Sequence, residues 1–172
     1  MYLLIDSDKC TGCRNCELAC SFRWDNYFKP SDAAIAVVKY EDKSINLPVV
    51  CQHCTKPVCV EVCMTGAIKR DEKTKTVFID ESKCTGCKVC VSTCPFGAMS
   101  FITSRGIARK CDLCEPLRKE RPDSVPEKNI TECIRLCPYN AIELVSEEKL
   151  AQKTRQKGVS KWFEFLKARR EE

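Results

Sequence analysis

Apolar and polar positions along the chain alternate in short runs. Met1-Tyr2-Leu3-Leu4-Ile5-Asp6 predicts a short strand. Ala33 to Tyr40 predicts a second, Glu41-Asp42-Lys43-Ser44 a polar turn, and Ile45 to Val50 the return strand. Another hairpin follows, Ile68 to Arg70 and Thr76 to Ile79, joined across Asp71-Glu72-Lys73-Thr74-Lys75. Met99 to Thr103 predicts one further strand before Ser104-Arg105-Gly106. After Ser146 the pattern changes to a charged, helix-prone segment. There Val159, Trp162, Phe163 and Leu166 fall at i, i+3, i+4 and i+7 on one helical face, and Gly158 marks a break from an earlier helical piece. No apolar run approaches the length that spans a bilayer, so direct membrane insertion is not expected.

Composition changes this picture at one residue type. Cysteine supplies 16 of 172 residues and a fifth of those counted as hydrophobic. Without it the aliphatic and aromatic content is thin for a packed core, so something bound to the cysteines must fill the interior. Cysteine this dense also suits a disulfide scaffold in a secreted protein. The first residues read as a strand, not as a charged segment followed by an apolar one. The expectation is a cytoplasmic protein with reduced thiols, export alongside a partner being the alternative.

The cysteines fall into four sets of four. The third is Cys84-Thr85-Gly86-Cys87-Lys88-Val89-Cys90-Val91-Ser92-Thr93-Cys94-Pro95, spaced C-x2-C-x2-C-x3-C-P, the bacterial run for iron–sulfur ligation. Thiolates two residues apart can wrap one corner of a small cubane if the loop stays tight, and Gly86 lets the backbone approach. Pro95 suits a first helical position, so Cys94 is expected to begin a helical turn facing away from its neighbours. The first set, Cys10, Cys13, Cys16 and Cys20, repeats the third from Ile5 onward at Ile, Asp, Lys, Thr, Gly and all four cysteines, with Ser21 in place of proline. The second, Cys51, Cys54, Cys59 and Cys63, has two extra residues before its third cysteine and Met64 after its last. The fourth, Cys111, Cys114, Cys133 and Cys137, carries an eighteen-residue insert with Pro116, Pro122 and Pro126. Taken alone that spacing is close to a zinc ribbon, yet Cys137-Pro138-Tyr139-Asn140-Ala141-Ile142 repeats the ending of the third set. Cubane, zinc and an empty fourth site all stay open on spacing.

Four such sets in this order resemble the four-cubane, ferredoxin-like electron-transfer subunits of complex molybdenum and tungsten oxidoreductases, over about Leu4 to Val145. The chain's compactness is similar to that of the small iron–sulfur subunits of aldehyde ferredoxin oxidoreductase-type tungsten enzymes, class II benzoyl-CoA reductases among them. The resemblance implies four [4Fe-4S] clusters held crosswise. Cys51, Cys54 and Cys59 would hold one with Cys94, and Cys84, Cys87 and Cys90 the next with Cys63. Cys10, Cys13 and Cys16 would hold a third with Cys137. Cys111, Cys114 and Cys133 would hold the fourth with Cys20, the least secure because of the insert. The implied fold is α+β: tandem bacterial ferredoxin-like modules forming two pseudo-twofold cluster pairs, with short β-hairpins and a C-terminal helical tail. The domain division that follows is 1–145 for the clusters and 146–172 for a partner-docking tail, the alternative for the tail being a helix folded back on its own domain.

The function implied is electron transfer to or from a large catalytic subunit with a tungsten or molybdenum cofactor, a flavin subunit or ferredoxin serving as second redox partner. This chain would have no catalytic residue of its own. Rivals are a free-standing polyferredoxin, a subunit of a hydrogenase, formate or carbon monoxide dehydrogenase system, and a zinc-bound interaction module. Nucleic-acid binding is not expected. The formal charge of +5 counts cysteine as neutral, and four cubanes bring the loaded protein to about −3. Lys9, Arg14, Lys83, Lys88, Arg109 and Lys110 adjoin ligand cysteines and either raise cluster potentials or stay solvated. His53, the single histidine, could ligate iron or relay protons; the favoured reading is donation of a hydrogen bond to a sulfur or backbone group. Phe22, Trp24, Tyr27 and Phe28 are read as packing that, with the hairpin, covers the clusters, docking of a partner being the alternative.

Overall fold

A computed structural model describes residues 1–116 and 131–168. Pro122 and Pro126 of the insert and the side chain of Leu166 lie outside the described residues. Eight short strands form four separate antiparallel pairs: β1 (Tyr2–Ile5) with β8 (Ile142–Val145), β2 (Ile35–Tyr40) with β3 (Ile45–Val50), β4 (Ile68–Arg70) with β5 (Val77–Ile79), and β6 (Ser100–Ile102) with β7 (Ile107–Arg109). Helices α1 (Asn15–Asp25), α2 (Val58–Glu61), α3 (Val89–Thr93) and α4 (Glu132–Arg135) each carry at least one cysteine of one set. The last helix, α5, runs from Glu147 to Ala168.

The pairing of β1 with β8, Leu3 opposite Leu144 and Ile5 opposite Ile142, brings the two ends of the four-set region together. A repeated bond fixes the register just beyond each of two strand pairs. The amide of Asp6 donates to Ala141 O and the amide of Asp80 to Ala67 O, both at 2.8 Å. Each aspartate then caps a one-turn helix, accepting from the amide of Asp8 or of Ser82. The first set is thus tied to the end of the fourth, and the third to the end of the second.

Two apolar cores result. Leu3, Ile35, Val37, Val50, Leu113, Ile134, Ile142 and Leu144 form one, with Cys16 and Cys133 among them. Ile68, Val77, Met99 and Ala108 form the other, with Cys90. Cysteines complete both because the aliphatic supply is small. The β2–β3 hairpin lends Ile35, Val37 and Val50 to the first core and so covers it, as expected.

The aromatic cluster departs from expectation. Phe22 and Phe28 stack with centroids 4.8 Å apart, yet both are exposed, as is Tyr27. Only Trp24 turns inward, its ring against the guanidinium of Arg23 at 4.3 Å and that of Arg109 at 4.8 Å. The interior there is ionic: Arg109 binds both carboxylate oxygens of Asp25 and donates to Asp32 O at 2.9 Å, and Arg23 grips Asp112 through two bonds of 2.8 and 2.6 Å. The helical tail is also continuous through Gly158, contrary to the expected break. Lysines at every fourth position explain this. Lys149 and Lys153 pair with Glu143, and Lys157 with Asp6 at 3.2 Å and Asp8 at 3.0 Å. This stripe holds the first half of α5 on β1 and β8, and it offsets the roughly 1 kcal/mol that a glycine costs in a helix.

Gly86 has φ +70, and a Cβ there would strike the carbonyl oxygen of Gly106, a backbone atom that cannot step aside. Gly97 also has positive φ but open space around it. Gly86→Ala should therefore cost more than Gly97→Ala, by about 1–3 kcal/mol. Thermal unfolding of the two variants side by side measures the difference.

Candidate metal centres

Each set opens with the same backbone device. The residue two after the first cysteine has a left-handed conformation in all four: Gly12, His53, Gly86 and Leu113. Glycine signals this in the first and third sets, whereas histidine and leucine accept the strain in the second and fourth. In those two sets the amide of that residue points back at the first sulfur, His53 N to Cys51 Sγ and Leu113 N to Cys111 Sγ, both at 3.4 Å. Arg14 and Lys88 hold a second left-handed position, at the N-termini of α1 and α3.

The last cysteine of the third set does not begin a helical turn as expected. Cys94 ends α3, and Pro95 lies in the turn that follows, closed by the amide of Gly97 on Cys94 O at 3.2 Å. Equivalent turns close on Cys63 O from Gly66 and on Cys137 O from Asn140. Proline suits the second position of such a turn as well as it suits a helix start. The first set has no proline, and α1 runs on through Cys20 and Ser21 to Asp25.

The cysteines gather crosswise. Cys10, Cys13, Cys16 and Cys137 line one cavity. Cys20, Cys111, Cys114 and Cys133 line another, and Cys63, Cys84, Cys87 and Cys90 a third. The second of these forms although its set carries the long insert. Cys51, Cys54, Cys59 and Cys94 form the remaining group. Cys51 and Cys94 act electrostatically on both Cys54 and Cys59. Among the described residues no three His, Cys, Asp or Glu side chains converge on a point that a single ion would fill.

Amide donors face these sulfurs. Ala34 N meets Cys20 Sγ at 3.3 Å, Ala108 N meets Cys84 Sγ at 3.5 Å, and Ala141 N meets Cys137 Sγ at 3.2 Å. Such donors stabilise negative charge on sulfur. Burial works the other way. It pushes Cys16 up to about 12 and Cys20 and Cys90 up to about 11, and it raises Cys111 and Cys133 strongly. Cys63 alone is lowered: burial opposes ionisation there, but the Thr65 hydroxyl and the amides of Ile68, Ala67 and Thr65 outweigh it.

The six cations flanking ligands separate into two groups. Lys9, Arg14, Lys83 and Lys88 are exposed. Arg109 and Lys110 are buried, at 1% and 2% exposure. His53 is buried too, and its Nδ1 accepts from the amide of Val77 at 3.0 Å. It therefore accepts a backbone hydrogen bond instead of donating one, and the ring proton sits on Nε2. Burial, aided by the charges of Lys110, the N-terminus and Arg70, lowers it to about 3. Sequence reasoning missed β7 and β8, although Ile142-Glu143-Leu144-Val145 follows its cysteine set as Ile68-Lys69-Arg70 follows the second.

Comparison with known proteins gives a consistent set. A model described as a 4Fe-4S dicluster domain matches residues 43–126, and one described as a 4Fe-4S binding domain matches residues 1–22. The electron transport protein HydN of Escherichia coli is 31% identical, with 91% of this chain and 94% of that protein covered. The B subunit of the anaerobic dimethyl sulfoxide reductase of Escherichia coli is 32% identical over 87% of this chain and 75% of that subunit. A polypeptide of the active-site complex BamBC of benzoyl-CoA reductase overlays with a TM-score of 0.44 and 21% identity, covering 88% of this chain and 86% of that polypeptide. Sixteen cysteines in four sets, with these models, fit four [4Fe-4S] clusters.

Thiols held above their ordinary range are protonated at neutral pH, and a cluster takes them as thiolates, so loading expels protons. Uptake of iron and sulfide by the apoprotein should rise steadily between about pH 6 and pH 9. Iron bound per chain after anaerobic reconstitution across that range measures it.

Proposed function

The chain belongs to the 4Fe-4S dicluster family of electron transport proteins and reductase iron–sulfur subunits, and from that premise we propose a ligand set, a partner and a division of labour. It transfers electrons through [4Fe-4S] clusters as a subunit of an oxidoreductase complex. The four clusters are held crosswise: Cys10, Cys13, Cys16 with Cys137; Cys20 with Cys111, Cys114, Cys133; Cys51, Cys54, Cys59 with Cys94; Cys63 with Cys84, Cys87, Cys90. The observation that carries this assignment is the convergence of four cysteines from two different sets on one cavity at three of the four sites.

Substrate chemistry belongs to a catalytic subunit that this chain serves, and the chain itself breaks no substrate bond. The reductase subunit among its relatives supports an oxidoreductase partner. The resemblance of the four cysteine sets to subunits of tungsten and molybdenum enzymes supports a tungsten or molybdenum cofactor there. The protein's own contribution is the environment of each cluster: amide donors at 3.2–3.5 Å from sulfur, burial, and local charge.

Residues 1–145 form the cluster domain and 146–172 the docking tail. Both readings of the tail find support in different halves. Lys149, Lys153 and Lys157 tie the first half to its own domain, while Val159, Trp162 and Phe163 are exposed at 61%, 62% and 58%.

Cys94→Ala should remove about one cubane's worth of iron. Combined with Cys54→Ala it should remove no more, since both damage one site. Combined with Cys87→Ala it should remove about twice as much, since two sites are then broken. Iron counting on the three proteins decides, and the reverse ranking would replace crosswise ligation with ligation within a set. A chain ending after Gly158 keeps the lysine stripe and should keep its iron. It should also fail to co-purify the catalytic subunit identified by mass spectrometry with the full chain.

A further inference from the structure

Two buried cations lie between the cluster pairs, and their partners differ. Arg109 is neutralised by Asp25, with Glu81 3.8 Å away. Lys110 has no such carboxylate among its bonds to the described residues. Its Nζ donates to Val77 O and, at 2.7 Å, to Cys111 O. Both acceptors are neutral carbonyls. An ammonium at 2% exposure held only by carbonyls is a charge awaiting a counterion.

Its position says where that counterion lies. Val77 accepts from Lys110 through its carbonyl and donates through its amide to His53, in the loop between Cys51 and Cys54. Lys110 adjoins Cys111 in sequence and holds that residue's carbonyl. A hydrogen-bonded path of buried groups therefore runs His53, Val77, Lys110, Cys111. It links a site of the second and third sets to a site of the first and fourth.

We propose that Lys110 is an internal counter-cation shared by two clusters, the one at Cys51, Cys54, Cys59 and Cys94 and the one at Cys20, Cys111, Cys114 and Cys133. Each cluster gains negative charge on reduction, and one fixed positive charge between them favours the electron on either side. The two potentials are raised together, so the difference between them is left largely unchanged. The inference rests on the crosswise ligand set proposed above, which iron counting on the paired cysteine variants tests separately.

Lys110→Gln keeps a donor for the two carbonyls and removes the charge, whereas Lys110→Arg keeps the charge. The experiment is a potentiometric titration of each protein followed by electron paramagnetic resonance, at matched iron content. In the Gln protein two of the four midpoints should move negative, each by at least about tenfold in the ratio of reduced to oxidised cluster at fixed potential, or about 59 mV. The other two should stay, and the Arg protein should titrate like wild type. Unmoved midpoints, or four that shift equally, would overturn the proposal. If the Gln protein assembles poorly, Lys110→Met is read the same way. Iron loss in both neutral variants with none in Arg would leave Lys110 a folding residue and also overturn it.

Discussion

Negative charge on buried sulfur is the constraint to which the rest of this structure responds. Nine of the sixteen thiols lie in or against two small cores, and burial holds several of them far into the protonated range. A cluster needs the same sulfurs ionised. The fold cannot meet that need by exposure, because water at the clusters would undo the packing that cysteine supplies to cores short of aliphatic residues. It meets it with oriented dipoles. Left-handed residues in the second and fourth sets turn their amides toward sulfur, and the turns after the last cysteine of three sets close on that cysteine's carbonyl.

The same constraint accounts for the strand pairs. None is long enough to be stable alone, and β4–β5 and β6–β7 have only three residues a side. Their task is positional. By pairing β1 with β8 and β4 with β5, the chain sets the last cysteine of one set opposite the first three of another. Neither half of such a site is complete by itself. Folding and loading are coupled through this arrangement, since the group that draws the two halves together is the one that fills the space between them.

Much of this is legible in the sequence where a motif repeats. The match of Ile5–Cys20 to Ile79–Cys94 predicts equivalent local structure, which the structure shows as the caps at Asp6 and Asp80, and the hairpin of Ile45–Val50 falls where alternation places it. The departures share a cause. Local preference puts Pro95 at a helix start, but a turn closing on Cys94 satisfies the same φ. Gly158 reads as a breaker, but a lysine stripe spaced by four residues overrides it, directed at Glu143 and, from Lys157, at Asp6 and Asp8 far away in the sequence. The aromatics of residues 22–28 read as core, but Asp25, Asp32, Arg23 and Arg109 occupy that interior and leave Phe22, Tyr27 and Phe28 outside. In the last two cases the deciding partner is remote in sequence, and periodicity does not report on remote partners.

The two pairs of sites meet through ions instead of through a shared apolar core. Arg109 crosses the junction to Asp25, with Glu81 3.8 Å away, and its charge is matched there. Charge-matched contacts add little to the local potential, because each cation is cancelled within a few ångströms. They fix geometry without biasing the electron. A cation bonded only to carbonyls does the reverse: it contributes modest geometry and its whole field. A junction built of both kinds can hold two cluster pairs at a set distance while keeping one place where charge is deliberately left over, and the negative groups then placed to balance it are the clusters on either side.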